Sequence, residues 1–385
     1  MKKVLFITTR DFKHWGGIER YIDNFVRYFK KADFECIVLC PQNCQLDASP
    51  SSGINRKNYT CQYQPIHHFF RFINPWLHIR VLRKALHQTI AAIKPDIILT
   101  RDFDAVLAGA RSGFPVYFMP GSLLKLDLHF DYALTGGFLY RLSRKWQRII
   151  KVRLEKQSFE ASSKVFVFSQ AFKDRIHRHH GIDKDKIEVI PIGFDDKNRK
   201  IEIFDIQRKS LLMVGRLTRS KNFQLAIQAL THLPDYTLWI IGHGPEKDTL
   251  TQMAGDLGLS DRVQLMGQRS DVAVFYQKCE VFLHLSYYEN FGQVLLEAMA
   301  YGKPPVVLIP DEDQVLTAST EIIQDKVNGF FVQATPQAVA RQVQAVAALP
   351  RAQYVDHCLR TVKAYSFERH FEVINQIVNG DGYYG

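Results

Sequence analysis

The chain is 385 residues long, 46% apolar and 23% charged, with a formal net charge of +11. That length asks for two hydrophobic cores rather than one, and the composition is that of an ordinary folded protein, which excludes disorder and low complexity. The basic excess leaves nucleic acid, an anionic membrane face and an anionic substrate as partner classes to weigh.

The chain opens on the apolar run Val4 to Ile7, too short for the hydrophobic region of a signal peptide and followed by no small-residue cleavage site; residues 3–9 are predicted as a first β-strand. No apolar run reaches the ~18 residues that span a bilayer, so a cytoplasmic protein is expected. The glycine pair Gly16-Gly17 follows in a loop, and residues 18–29 form an amphipathic helix with Ile18, Tyr21, Ile22, Phe25, Val26 and Phe29 on one face. Further strands are predicted at 36–40, 96–99, 116–119, 164–168 and 187–190, with helices at 77–93, 138–160 and 171–180. The pattern then restarts. Strands at 211–214, 236–241, 263–266, 281–285 and 305–308 alternate with helices at 222–230, from Pro245 to about Leu257, and at 291–300. Strands alternating with helices imply parallel sheets covered on both faces, and two restarts imply two doubly wound α/β domains. The linker is placed at 191–210. The last segment, 367–378, is amphipathic and free to cross back onto the first domain.

The cysteines at 36, 40, 44, 61, 279 and 358 show neither CxxC nor CxxH spacing and read as reduced structural thiols. His177, His179 and His180 precede Gly181, so they read as cations at a helix C-terminus. From 48 to 95 there is no Asp or Glu, while Arg56, Lys57, Arg71, Arg80, Arg83, Lys84 and Lys94 lie among the aromatics Phe69, Phe70, Phe72 and Trp76. A second basic stretch carries Arg141, Arg144, Lys145, Arg148, Lys151 and Arg153. Arg71, Arg80, Arg83 and Lys84 are the candidates for an acceptor or membrane face, because aromatic and basic side chains together suit a headgroup layer.

Two blocks carry chemistry. Gly215-Arg216-Leu217-Thr218-Arg219-Ser220-Lys221-Asn222 leaves a strand and opens a helix. Backbone N–H groups at such a junction attract anions, and Arg216 and Lys221 add fixed positive charge, which suits a diphosphate whose negative charge grows as it leaves. Glu289-Asn290-Phe291-Gly292-Gln293-Val294-Leu295-Leu296-Glu297 is a second strand-to-helix junction. Gly292 lets a ligand approach the backbone, the amides from Asn290 to Gln293 can meet sugar or phosphate oxygens, and each glutamate can accept hydrogen bonds from vicinal hydroxyls.

The run from Ser286 to Pro304 contains a full E-x7-E motif. Together with Gly215-Arg216-Leu217 and Lys221, Gly242-x-Gly244-Pro245, Asn328-Gly329-Phe330 and Gly16-Gly17, it resembles the large family of retaining glycosyltransferases called family 4 over nearly the whole chain. The resemblance implies the GT-B fold: two Rossmann-like domains facing a central cleft, an acceptor domain at 1–193 completed by a helix in 366–385, and a nucleotide-sugar domain at 194–365. It also implies a donor that is a nucleoside-diphosphate sugar, with no metal and no cofactor. Arg216 and Lys221 would hold the leaving diphosphate, and Glu289 would complete the catalytic set by holding the donor sugar. Gly16, Gly17, Gly215, Gly242, Asn290, Phe291, Gly292, Gln293 and Val294 would line the donor site, and Glu297 would take the ribose hydroxyls. Asp311-Glu312-Asp313 follows Pro310 and reads as a loop rather than a metal motif. The chain departs from the family at Pro120, where a histidine is expected; Ser122, Lys125 and Asp127 are the possible replacements. A short similarity around Met119-Pro120-Gly121 and Gly137 to Leu142 points to bacterial lipopolysaccharide-core glucosyltransferases. A UDP sugar and a lipopolysaccharide, lipid-linked or polysaccharide acceptor are therefore expected, with peripheral attachment to the inner face of the cytoplasmic membrane and no nucleic-acid partner. The competing readings are a sugar-nucleotide epimerase or phosphorylase on the same frame, and a non-catalytic sugar-nucleotide-binding protein.

Overall fold

A computed structural model describes residues 2–9, 17–31, 34–41, 61–63, 75–124, 126, 138–194, 209–350 and 352–379. Gly16, Arg71, Lys125, Asp127 and the aromatics from Phe69 to Phe72 lie outside the described residues.

The first domain holds β1 (Lys2–Ile7), β2 (Phe34–Pro41), β3 (Cys61–Tyr63), β4 (Ile97–Thr100), β5 (Val116–Phe118), β6 (Lys164–Val167) and β7 (Ile187–Val189), with helices α1 (Gly17–Lys31), α2 (Pro75–Ile93), α3 (Phe103–Gly109), α4 (Phe138–Ala161) and α5 (Gln170–His180). Its sheet runs β3-β2-β1-β4-β5-β6-β7, every pair parallel. The second domain holds β8 (Lys209–Val214), α6 (Phe223–Leu230), β9 (Tyr236–Ile241), α7 (Lys247–Asp256), β10 (Val263–Gly267), α8 (Val272–Lys278), β11 (Val281–His284), α9 (Gln293–Met299), β12 (Val306–Leu308), β13 (Phe330–Val332), α10 (Pro336–Ala347), α11 (Ala352–Lys363) and α12 (Phe367–Asn379). Its parallel sheet runs β10-β9-β8-β11-β12-β13, the same doubly wound order as the first. The elements β3, β13, α3, α8, α10 and α11 are not among those predicted from the sequence.

The central strands show why they read as unbroken apolar runs. In β1, Val4 and Phe6 pack with Phe25 and Phe29 of α1, while Leu5 and Ile7 pack on the opposite face with Leu82 and Leu86 of α2. Cys36, Val38 and Cys40 alternate along β2, so the cysteines share one strand face in the core. Cys36, Cys40, Cys279 and Cys358 are free and buried.

α12 crosses from the second domain to the first. Phe371 packs edge-on to Phe29, with ring centres 4.4 Å apart, and Phe367 stacks on Tyr28 at 5.6 Å. Phe194 at the crossing donates its N–H to the Tyr365 carbonyl. His370 is 2% exposed. Its Nδ1 lies 2.5 Å from the Pro191 carbonyl and its Nε2 2.7 Å from the Tyr21 hydroxyl. A carbonyl only accepts, so Nδ1 carries the proton and Nε2 accepts from Tyr21. One neutral imidazole therefore ties α12, α1 and the crossing segment together.

Burial first, and the Arg101 charge with it, push the His370 imidazole down from 6.5 to about 4, against the pull of the Pro191 carbonyl. Between those values the unfolded chain binds more protons than the folded one. This contribution is thus complete above pH 6.5 and is lost as the pH falls toward 4, by ~3 kcal/mol over the interval. We expect the melting temperature to drop between pH 7 and pH 5 and the drop to be smaller in His370→Gln. Equal slopes for the two proteins would remove His370 as the titrating group.

Candidate functional site

In a doubly wound sheet, ligands meet the C-terminal strand ends where the strand order reverses. In the second domain that point lies between β8 and β11, and the two sequence-predicted blocks leave these strands. The loop after β8 passes Gly215 and Arg216, makes a turn of 3-10 helix over Arg219–Lys221, and enters α6 through Asn222 at φ +52°. Thr218 and Ser220 hydroxyls meet at 2.9 Å and steady the turn. The loop after β11 docks on it, with the Tyr287 N–H donating to the Ser220 carbonyl at 2.7 Å. Gly242 (φ +153°) closes the third side: a Cβ there would sit 1.8 Å from the Gly215 carbonyl oxygen, so only glycine lets the β8 and β9 loops touch backbone to backbone.

Lys221 and Glu289 form an ion pair across the two loops. Burial works to raise the Glu289 carboxyl, but the charge and hydrogen bond of the Lys221 ammonium, helped by the Asn290 N–H, hold it below the usual carboxylate range. Arg216 is exposed and its guanidinium has no partner among the described residues. Arg219, by contrast, lies 3.4 Å from Glu246, which also accepts from the Gln224 amide. The site thus brings together Gly215, Arg216, Lys221, Gly242, Glu289 and Gly292, the last opening α9 at φ +91°.

The other predicted donor residues are placed differently. Phe291 is a core side chain, edge-on to Tyr365 at 5.3 Å. Asn290 faces the first domain: its Nδ2 donates to the Gly121 carbonyl at 3.0 Å and its own carbonyl accepts from the Ser169 hydroxyl at 2.5 Å. Gln293 is exposed and Val294 half-buried at the start of α9. Glu297, further along α9, is half-buried and accepts from the Tyr276 hydroxyl at 3.0 Å.

Several residues at the cleft were not foreseen. His284 ends β11 at 5% exposure, and its Nε2 has no partner among the described residues. Burial first and then the Lys221 charge push it down to about 4, so it is neutral beside the ion pair. Arg101, one residue beyond β4 at the first domain's own reversal point, lies over the rings of Tyr21 (5.0 Å) and Phe168 (5.6 Å). A Cβ on Gly121 would stand 3.4 Å from its Nη2. Arg101 is therefore the basic group beside the loop where the expected histidine is replaced by Pro120. Arg175 of α5, largely buried, donates from Nη2 to the Glu289 carbonyl at 3.2 Å and lies 5.8 Å from the Tyr288 ring centre. For His284 and Arg101 the sequence signal was a basic or imidazole side chain next to a strand end; Arg175, inside α5, carried none.

His180 closes α5 ahead of Gly181, which takes the left-handed conformation, as the sequence implies. The imidazole is buried and donates from Nε2 to Glu155 at 3.0 Å, while the same carboxylate accepts the Leu124 N–H at 2.7 Å and so pins the loop after β5. Arg83 is half-buried and engaged with the Leu107 carbonyl at 3.0 Å, unlike the exposed Arg80 and Lys84. Asp311 accepts the N–H groups of Asp313, Gln314 and Val315, which fixes a turn and holds its carboxyl below the usual range. No group of metal-binding side chains occurs among the described residues.

The two domains meet at this loop. Leu123 donates its N–H to the Tyr288 hydroxyl at 3.1 Å, and Glu321 accepts the N–H groups of Gln170 and Ala171, capping α5 from the second domain.

Residues 194–357 match the family model described as Glycosyl transferases group 1, and residues 15–198 match that of Glycosyltransferase Family 4. The lipopolysaccharide core biosynthesis glycosyltransferase LpsE of Rhizobium meliloti is 32% identical over 152 residues, which are 39% of this chain and 41% of LpsE. The match therefore spans about two fifths of that relative's length. Sucrose-phosphate synthase from Thermosynechococcus elongatus superposes over 99% of both chains with a TM-score of 0.78 at 18% identity. The Anabaena protein HepE, in complex with UDP and glucose, does so over 99% of this chain and 100% of its own, with a TM-score of 0.75 at 20% identity. At these identities the structures establish the shared GT-B fold.

The interdomain contacts lead to an expectation. Hydrogen bonds to charged groups contribute about 1.5–3 kcal/mol each, so Arg175→Ala/Glu321→Ala should loosen the contact between the domains. Small-angle scattering of the ligand-free protein should show a larger radius of gyration than wild type. An unchanged radius would mean that other contacts hold the domains.

Proposed function

We propose that this chain, which belongs with the family 4-type glycosyltransferases, moves a sugar from a nucleoside-diphosphate donor, UDP-linked by first expectation, to a glycan or lipid-linked acceptor with retention of configuration. The observation that carries the reading is the Lys221–Glu289 pair at the reversal point of the second sheet, with Arg216, unpartnered among the described residues, beside Lys221. Breaking the bond between sugar and diphosphate concentrates negative charge on the departing phosphate. Lys221 and Arg216 lie on the loop at that strand end and can meet that charge, and cations held at the site act more strongly on it than solvent does. Glu289, kept ionised, can accept hydrogen bonds from sugar hydroxyls, and Glu297 can do the same for the ribose. With two cations on the diphosphate, the reading includes no metal ion and no cofactor. The names of LpsE, a lipopolysaccharide core enzyme, and of HepE with UDP and glucose favour this donor and acceptor class. Release of the nucleoside diphosphate from a sugar donor, stimulated by acceptor, would separate transfer from epimerisation and from simple binding.

A membrane-facing first domain belongs to the same proposal. Among the described residues no helix is long and apolar enough to cross a bilayer. α2 nevertheless exposes Trp76 (49%), Leu77, Arg80 and Lys84, and α4 exposes Ile149 (53%), Ile150, Arg148, Lys151 and Arg153. α3 packs against both helices. Apolar side chains among cations suit the headgroup layer of an anionic membrane, each basic residue adding about 1 kcal/mol.

Arg216→Ala and Lys221→Ala should each lower kcat by roughly 10²-fold, the scale for losing a group that stabilises transition-state charge; turnover near wild type in both would end the diphosphate assignment. Liposome co-sedimentation should show binding that rises with anionic lipid and falls with salt, as screening over ~10 Å at 0.1 M requires. Trp76→Ala/Arg80→Glu/Lys84→Glu should weaken it. Indifference of the wild type to anionic vesicles at low salt would end the membrane reading.

A further inference from the structure

Glu297 has a long side chain, yet its proposed task needs a carboxylate in one orientation, since two vicinal hydroxyls meet a carboxylate well only when its plane is set. What sets it lies on another helix. Tyr276, on α8, is 2% exposed. Its ring stacks on Tyr301, with centres 5.8 Å apart and planes at 9°, and meets Phe282 at 5.4 Å and 53°. Those neighbours fix the ring, and its hydroxyl donates to Glu297 Oε2 at 3.0 Å. Packing alone asks only for the ring, which phenylalanine would supply equally; the hydroxyl is the part that packing does not explain, and a buried phenol needs a polar partner.

We propose that Tyr276 is a positioning residue that holds the Glu297 carboxylate ready for the ribose hydroxyls of the donor. The inference rests on the reading that Glu297 takes those hydroxyls. A hydrogen bond to an ionised carboxylate is short and directional, and orienting the group beforehand removes part of the ordering cost of binding. Tyr276 touches neither sugar nor phosphate in this scheme. Its influence passes through Glu297 and is confined to how the site distinguishes a complete ribose from one lacking a hydroxyl.

The test uses the full chain and whichever of UDP, GDP and ADP the wild type binds tightest, together with the 3′-deoxy form of that diphosphate. Calorimetry gives the preference of wild type, Tyr276→Phe, Glu297→Gln and the double variant for the complete ribose. Tyr276→Phe keeps the ring stack, and a melting curve confirms that it folds. The expected result is that Tyr276→Phe loses up to about tenfold of the preference, the scale of one hydrogen bond, and that it changes nothing further when Glu297 is already Gln. If Tyr276→Phe weakens both ligands equally, or does so in the Glu297→Gln background as well, the hydroxyl acts on packing and the positioning role is overturned. If the wild type shows no preference and Glu297→Gln binds like wild type, the ribose reading of Glu297 fails and takes this inference with it. The two failures are thus told apart by the Glu297→Gln arm.

Discussion

A carboxylate withdrawn from water is costly unless a cation and hydrogen-bond donors meet it, and the cleft is organised around one such group. Glu289 is largely screened from solvent and is met by Lys221 from a separate loop. That requirement brings the β8 and β11 loops into register: the Tyr287–Ser220 backbone bond and the contact between Gly242 and Gly215 serve the same approach. His284 beside the pair stays neutral because burial, and then the Lys221 charge, outweigh the pull of Glu289.

The loop that carries Glu289 also joins the domains. Its neighbours Tyr288 and Asn290 are engaged by the first domain through Leu123, Gly121 and Ser169, and its own carbonyl accepts from Arg175. A ligand that shifts this loop therefore shifts the contacts that hold the domains together. α12 gives a second crossing, built on aromatic packing and the Tyr21–His370–Pro191 chain. The interface thus combines an apolar part continuous with the core and, at the loop after β11, discrete polar bonds.

Much of this was legible in the sequence because it is local. Each block from Gly215 to Asn222 and from Glu289 to Glu297 contains its own strand end, turn and helix start, so the chemistry and the conformation that presents it are written within about ten residues. The amphipathic faces of α1 and α12 were visible for the same reason. Asn290 shows the limit. As an amide near a helix start it reads as a ligand contact, yet its side chain turns to Gly121, 169 residues away. His180 is legible as a helix-end residue, but its partner Glu155, 25 residues back in the chain, is not.

The sequence by itself determined the alternation of strands and helices, the two doubly wound domains and the two cation-and-carboxylate blocks, because hydrophobic period, glycine and short-range charge act between near neighbours. Only the tertiary structure decided that Lys221 neutralises Glu289, that Arg175 and Arg101 come to the cleft, and that Tyr276 holds Glu297. Those pairings join elements whose order along the chain carries no distance. They exist because the burial of two sheets fixes where strand ends lie, and the charges brought there must then find partners.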